Sequence, residues 1–242
     1  MAHDLEAPCP VGLADRAGLY RARGDEVVAH RPVFTGDVFT DTPVRTPQGG
    51  SRRRTVVVVQ HPCALRTNGS DLVSRLLVAE VRPHSVIPAE DWTGYISLMP
   101  LPDLIPTGES DKQRHQAAFL DAPYVADPNE LGRRIACLQP LGVNLLLQRW
   151  VHHNSRVVVE THRFNEVVAG PYEEADITED WCEARISSSM PIGEATVECL
   201  SWLREPIQAG GALRQEMLAD AQQRAPIRRA AREQVRSLRA PS

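Results

Sequence analysis

The sequence has almost no lysine, few aromatic residues and no long apolar run. Lys112 is the only lysine among 27 basic residues, so arginine carries the positive charge, and its planar guanidinium suits bidentate contacts with phosphate or carboxylate. No stretch approaches the roughly 18 consecutive apolar residues typical of a membrane helix, and the first residues lack the cationic flank and apolar run of a signal peptide. These absences predict a cytoplasmic protein with no membrane partner.

Cysteine is also scarce and shows no paired pattern. The five cysteines are odd in number and never spaced as Cys-x-x-Cys, which favours a reduced intracellular protein. Zinc needs four ligands. Besides His61 and Cys63, the candidate ligands are Cys137, His152, His153 and His162, and their spacing shows no regular pairing. We therefore expect no metal site and no cofactor. The net charge of −4 excludes a uniformly cationic coat for nucleic acid but leaves local patches open.

The stretch Arg52–Arg66 organises the rest of the chain. Four consecutive valines lie between three arginines and a Gln-His-Pro-Cys turn. Alternate side chains of a strand face opposite sides, so a run that is apolar on both sides predicts a central strand, Thr55–Val59, covered on both faces. Polar and reactive side chains crowd its two ends, where we expect a site.

Short β-prone segments separated by proline and glycine surround this strand. Their polar connections favour a small antiparallel barrel or sandwich over parallel βαβ units. A helix over Leu141–Phe164, closed by Gly170-Pro171, is expected to pack on the sheet, which predicts an α+β protein. The expected strands are Asp37–Thr40, Thr55–Val59, Ser74–Val81, Tyr95–Leu101 at an edge, Gln116–Val125 and Arg133–Gln139.

The connecting segments divide the chain into three parts. A lead-in, 1–32, holds a short helix over Val11–Arg23; a barrel with its helix occupies 33–170; an acidic linker and a helical basic region fill 171–242. Within these parts, prolines, glycines and four arginines predict a mobile basic loop over Asp41–Arg54. Glu173–Glu183 has six acids and no base, and it is interpreted as a solvated linker or as a mask across Arg45–Arg54.

The C-terminal region is predicted to be helical. Gly193–Arg204 forms one helix and Leu213–Arg239 another, with a break or kink at Pro226. Arginine dominates the end of the second helix and apolar residues are few there. We expect this helix to project from the core or to dock on a partner.

The order of motifs in the first two thirds of the chain resembles the MazF/PemK family. The matching features are Gly36-Asp37-Val38-Phe39, a basic loop, Arg54–Val59, Leu76–Val81, and Arg134–Leu138 before a helix, over about residues 35–160. The resemblance implies an SH3-like barrel and either a metal-independent, single-strand-specific endoribonuclease of a toxin-antitoxin-like or phage-conflict system or a relative that kept only the barrel. Arg54 falls at the position of the family's catalytic arginine. The family's threonine after the third strand is absent, since Glu80–Ser85 contains none, and Ser85, His84 or Arg82 would have to replace it. Thr55 also stands where the family usually has proline.

The residues themselves predict a phosphate-binding surface. Guanidinium groups keep their charge near neutral pH and bind phosphate oxygens, and imidazole can act as acid and base for attack by a 2′-hydroxyl. The alternative is a solvated arginine loop with histidines in turns. The candidate catalytic residues are Arg54, His61 and His84, and the candidate nucleic-acid-binding residues are Arg52, Arg53, Arg66 and Arg82.

His61-Pro-Cys63 raises two further hypotheses, a cysteine nucleophile activated by histidine and a metal site. Pro62 is expected to turn His61 away from the sulfur, and a buried cysteine filling a corner of the barrel is the interpretation that we favour.

The predicted function is binding of RNA or DNA, with endoribonuclease activity left open. The alternative is a non-catalytic assembly protein whose C-terminal arm, 213–239, contacts a second copy or another protein.

Overall fold

A computed structural model of the chain describes residues 5–8, 16–46, 49–67, 71–208 and 210–239. The chain forms two compact units. The first contains Phe34–Thr67 and Asp71–Asn165 with the described residues up to Val27, and the second contains Val28–Val33 and the chain from Glu166 onward. The predicted α+β class is confirmed, because the first unit carries an antiparallel sheet and the chain has several helices.

The first unit is built on a seven-stranded sheet in which every neighbouring pair is antiparallel. The spatial order is β1-β9-β2-β3-β6-β8-β7, so β1 and β7 form two edges that are not paired with each other, and the sheet is open. A separate two-stranded sheet consists of β4 and β5. The strands are β1 Tyr20–Arg23, β2 Val38–Arg45, β3 Ser51–Val58, β4 Arg66–Thr67, β5 Asp71–Leu72, β6 Leu76–Pro83, β7 Leu98–Leu101, β8 Gln116–Ala126 and β9 Arg134–Leu138.

The valine strand lies at the centre of this sheet, as predicted. β3 pairs with β2 on one side and β6 on the other, and Val56–Val59 are at most 1% exposed. Consecutive residues of a strand face opposite sides, so burial of all four valines means that both faces of the sheet are covered here.

The predicted mobile loop over Asp41–Arg54 is wrong, because most of it forms a hairpin. β2 runs to Arg45 and β3 begins at Ser51, with Pro43 opposite Arg53 and Val44 opposite Arg52. On the other side of β2, β9 pairs only with Val38 and Phe39. In the described chain, no strand is paired with the outer half of β2 on this side, so proline there costs no ladder hydrogen bond.

The N-terminal helix predicted over Val11–Arg23 is also wrong where the structure describes it. A short 3-10 turn over Arg16–Leu19 leads directly into β1, which pairs with β9. Residues 11–15 lie outside the described residues.

The single helix predicted over Leu141–Phe164 is two helices. The first of these is α2, Pro140–Ser155, and the second begins at Thr161. Helix α1 lies earlier in the chain and is a short turn, Asp111–Arg114. α2 ends at Arg156, whose φ of 60° is left-handed and stops the helix. The next helix, α3, spans Thr161–Ile186. The carboxylate of Glu6 accepts hydrogen bonds from the backbone N–H of Thr161 at 2.7 Å and from its hydroxyl at 2.5 Å, which satisfies the start of α3.

The second unit is helical around one apolar cluster. Helix α3, Thr161–Ile186, begins in the first unit and continues into the second. It is followed by α4 Ile192–Leu203, α5 Arg214–Ala219 and α6 Arg224–Arg239. The cluster consists of Ile177, Trp181, Ala184, Cys199, Leu200, Leu203, Leu218, Ile227, Ala231 and Val235.

Two predictions for this region are wrong. α3 passes through Pro171, so Gly170-Pro171 does not close a helix. The acidic tract Glu173–Glu183 lies within α3 instead of a linker, and its acids pair with arginines of the same unit, such as Arg31 and Arg228. The mask across Arg45–Arg54 stays a prediction.

The predicted helices of the C-terminal region are present, but the break is elsewhere. It falls at Asp220–Gln223, and Pro226 lies in the first turn of α6, where a missing N–H costs little. α6 buries Ile227, Ala231 and Val235, so the expectation that it projects from the core is wrong. Among the described residues, no helix combines the length and apolar character needed to cross a bilayer.

Candidate functional site

Three neighbouring strands place two arginines on one carboxylate. Thr55 pairs with Val81 and Val56 with Glu80, so Arg54 of β3 and Arg82 of β6 lie on the same face as Glu80. Arg54 Nε lies 3.0 Å from Glu80 Oε1, and Arg82 Nη2 lies 2.8 Å from Oε2. The Tyr124 hydroxyl of β8 donates to Oε2 at 3.3 Å. We call Arg54, Glu80, Arg82 and Tyr124 the Glu80 cluster.

The electrostatics of the Glu80 cluster favour an ionised carboxylate. The Glu80 side chain is only 8% exposed, but the hydrogen bond from Arg82, reinforced by the charges of both arginines, outweighs burial and lowers the pKa of Glu80. The same pairing raises the pKa of Arg82. Two guanidiniums share one carboxylate, so the three side chains together carry a formal charge of +1.

Aromatic rings adjoin the Glu80 cluster. The guanidinium carbon of Arg82 lies 4.9 Å from the centre of the Phe119 ring, a cation–π distance. The His84 ring is centred 6.3 Å from Phe119 and meets Tyr95 edge to face at 6.4 Å. Phe119 and His84 are half-buried, and Tyr95 is exposed. We call His84, Tyr95 and Phe119 the aromatic group.

The orientation of His84 fixes its tautomer. Its Nδ1 lies 2.8 Å from the carbonyl oxygen of Ser85, which can only accept, so Nδ1 carries the proton. The neutral ring therefore keeps a lone pair on Nε2, which can accept a proton.

The structure brings some of the predicted site residues together and separates others. Arg54, Arg82 and His84 lie at the Glu80 cluster and the aromatic group. His61 follows the C-terminal end of β3, and His84 follows the C-terminal end of β6. Because these strands are antiparallel, the two histidines lie at opposite ends of the pair. His61 and His84 therefore do not converge on one site.

The remaining predicted arginines lie outside the Glu80 cluster. Arg52 and Arg53 are exposed near the turn of the β2–β3 hairpin, and Arg53 donates to the Asp41 carbonyl at 2.8 Å. Arg66 belongs to β4 in the separate two-stranded sheet.

Sequence reasoning missed Glu80, Tyr124, Phe119 and Tyr95. The spacing Glu80-x-Arg82 in a strand is a usable signal, because residues two apart share a face. Phe119 and Tyr124 are an odd number of residues apart, so a regular strand would place their rings on opposite faces of the sheet. A β-bulge in β8 changes this. Glu80 pairs with Phe119 and Val78 with Tyr124, so both rings lie on the face of Glu80.

The prediction that Cys63 is buried in a corner of the sheet is wrong. Cys63 is exposed, and its Sγ lies 2.7 Å from His61 Nδ1. Cys137, Cys182 and Cys199 are the buried cysteines of the described chain, and Cys9 lies outside it. Within the described ranges, no group of three or more His, Cys, Asp or Glu residues is arranged to hold a metal ion.

No family model matches the chain, and a search of curated proteins gives no significant match.

Proposed function

We propose that the first unit binds single-stranded nucleic acid at the Glu80 cluster and the aromatic group. The observation that carries this proposal is the position of Arg82, whose guanidinium touches both Glu80 and the Phe119 ring. A surface that combines arginines with accessible rings offers both contacts that single strands need, phosphate pairing and base stacking.

Glu80 orients the arginines without using all of their donors. Each guanidinium has five N–H donors. The Arg54 side chain is 34% exposed and that of Arg82 is 47% exposed, so both present charge to solvent while they pair with Glu80. A phosphate can therefore bind the outer edges of two guanidiniums that Glu80 holds at fixed positions.

The aromatic group supplies the stacking surface. Tyr95 is 36% exposed and His84 is half-buried beside it. A base stacked on a ring is stabilised by roughly 1–3 kcal/mol, with little dependence on sequence. We expect binding of single strands to exceed binding of duplexes, whose bases are already stacked.

The resemblance to the MazF/PemK family extends the proposal to RNA cleavage in an SH3-like barrel. The sheet order β2-β3-β6-β8 and the contact between β2 and β8, which have two strands between them in that order, support a strongly curled sheet. For cleavage, Arg54 would stabilise charge on the phosphate and His84 Nε2 would take the proton of the 2′-hydroxyl. Glu80 is a weak base because its pKa is lowered.

Binding is tested with fluorescently labelled single-stranded RNA and DNA of about 20 nucleotides, in EDTA and at several salt concentrations. We expect Arg54→Ala and Arg82→Ala each to weaken binding by roughly tenfold and to reduce the salt slope by about one. The matched control is Arg75→Ala, which removes an exposed arginine just before the opposite end of β6. Equal affinities for the three variants would contradict the proposed site.

Cleavage is read from the same samples on denaturing gels. Products that disappear in Arg54→Ala and His84→Ala, but not in Arg75→Ala, support a metal-independent endoribonuclease. Binding of intact RNA without products identifies a binding protein instead.

A second candidate function is assembly through α6. Arg229, Arg232 and Arg236 are exposed on the side of α6 away from buried Ile227 and Ala231. This arginine stripe suits an acidic protein partner or a second copy of the chain. The test replaces all three arginines with glutamate and measures the mass of the protein by light scattering. Deletion of 213–242 is not a suitable test, because it would expose the apolar cluster.

A further inference from the structure

Cys63 differs from the other described cysteines in its surroundings. It is exposed, whereas Cys137, Cys182 and Cys199 are buried. Its Sγ lies 2.7 Å from His61 Nδ1, well within reach of proton transfer. An exposed thiol that contacts an imidazole is the arrangement by which proteins activate a cysteine nucleophile.

The local backbone holds this pair in place. Pro62 is buried and begins a 3-10 turn over Pro62–Ala64, with His61 at the capping position. His61 Nδ1 also accepts the backbone N–H of Cys63 at 3.4 Å, so the ring is turned toward the residue that carries the thiol. Gln60 Nε2 donates to the Ala64 carbonyl at 3.2 Å across the same turn. The Cys–His contact is therefore built by the turn that ends the valine strand.

The contact with Cys63 gives His61 its place as the base. Partial burial lowers the pKa of His61, which favours the neutral ring with a lone pair on Nδ1 but also makes Nδ1 a weaker base. Transfer of the S–H proton therefore depends on the 2.7 Å contact between Sγ and Nδ1.

We propose that His61 and Cys63 form a reactive thiol site that exchanges with small-molecule disulfides. The Cys63 S–H proton passes to His61 Nδ1, and the sulfur attacks one sulfur of the disulfide. A bond forms from Cys63 Sγ to that sulfur while the original S–S bond breaks, and the departing thiolate takes the proton from His61. Cys63 ends as a mixed disulfide, and the other half of the reagent ends as a free thiol.

This site is independent of the proposed nucleic-acid surface. The turn that holds Cys63 follows Val58 at one end of β3, whereas Arg54 and Arg82 lie toward the other end. An adduct on Cys63 therefore does not occupy the two guanidiniums to which the phosphate is proposed to bind. Binding of RNA and reactivity of the thiol can each fail without the other.

The test uses fully reduced protein and oxidised glutathione at pH 7.5, with the site of each adduct identified by peptide mass spectrometry. We expect Cys63 to form the adduct roughly tenfold faster than the same cysteine in a synthetic peptide of residues 60–66, which has the same groups without the fold. The buried cysteines should react far more slowly and serve as internal references.

The matched variant is His61→Asn, because asparagine also caps a helical turn but cannot take a proton from the thiol. We expect its Cys63 to react at the rate of the peptide. If Cys63 in the native protein reacts no faster than the peptide, or if His61→Asn leaves the rate unchanged, the proposal is wrong. The comparison with the peptide needs no variant, so it decides the question even if His61→Asn unfolds.

Discussion

Glu80 is the residue on which the candidate surface depends. Its two oxygens accept from Arg54, Arg82 and Tyr124, and the side chain is almost fully buried. Removing its charge leaves two guanidiniums side by side without their counter-ion. The effects on stability and on binding should therefore have opposite signs.

We predict that Glu80→Gln destabilises the protein by roughly 1–3 kcal/mol, because hydrogen bonds to a buried charged group are lost. The same substitution raises the formal charge of the cluster from +1 to +2, so single-stranded RNA should bind several-fold more tightly with a steeper salt dependence. Urea unfolding and RNA titration measure the two effects. Glu130→Gln, at an exposed glutamate of the same unit, should change neither.

The pKa of Glu80 also predicts how stability depends on pH. The pKa is lowered in the folded protein, so at acidic pH the unfolded chain binds more protons. The contribution of Glu80 is complete above the unfolded glutamate pKa of about 4.3 and is lost as pH falls through the folded pKa. We predict that Glu80→Gln flattens the fall in unfolding free energy below pH 5, measured in urea at several pH values. Parallel curves for the two proteins would contradict this.

At the residue scale, the sequence predicts half of the cluster. Arg54 and Arg82 follow from charge and from their places at the ends of predicted strands. Tyr124 and Phe119 do not, because the bulge in β8 changes which residues share a face, and Pro123, which is typical of a bulge, does not by itself fix where the register shifts. Cys63 was misjudged because Pro62 was expected to turn His61 away, whereas Pro62 fixes the turn that joins them.

The elements of the fold follow from periodicity where the apolar pattern is strong. The valine strand and β8 agree with the sequence pattern to within a few residues. The pattern fails where long-range contacts decide the outcome. α3 begins where the distant Glu6 satisfies its first N–H, and composition between Arg156 and Thr161 does not reveal that partner.

Residues 132–133, just before β9, approach the backbone of β2 closely. A Cβ placed on Gly132 would lie 1.7 Å from the carbonyl oxygen of Thr40, which is backbone and cannot move away alone. Thr40 N–H also donates to the Arg133 carbonyl at 2.9 Å, which fixes the two segments together. A side chain at 132 must therefore separate β2 from the start of β9.

We predict that Gly132→Ala destabilises the first unit by about 3 kcal/mol or more, because relief of the clash breaks these backbone contacts. The matched control is Gly94→Ala, where a Cβ meets nothing within 4 Å. The control should change stability by less than about 0.5 kcal/mol. Urea unfolding measures both, and similar unfolding midpoints for the two variants would contradict the prediction.

At the scale of the whole molecule, the described residues of the second unit come from two distant pieces of chain. Val28–Val33 belongs to it although most of the first unit intervenes before Glu166. Arg31 joins the pieces: its Nη1 lies 2.6 Å from Asp176 and 2.7 Å from Glu179 of α3, and its guanidinium carbon lies 5.1 Å from the Tyr172 ring centre. Sequence alone gives no reason to pair an arginine near the start with an acidic tract 145 residues later.

The Arg31 side chain is 2% exposed, so its loss removes a buried cation that pairs with two carboxylates of α3. We predict that Arg31→Ala destabilises the second unit by roughly 3–5 kcal/mol, and that Arg31→Lys recovers only part of this because an ammonium lacks the guanidinium fork. Hydrogen exchange of peptides from α3 and α4, read by mass spectrometry, measures the effect locally. Arg229→Ala removes an exposed arginine of the same unit and should leave exchange unchanged. If Arg31→Ala exchanges like Arg229→Ala, the buried pairs do not hold the two pieces together.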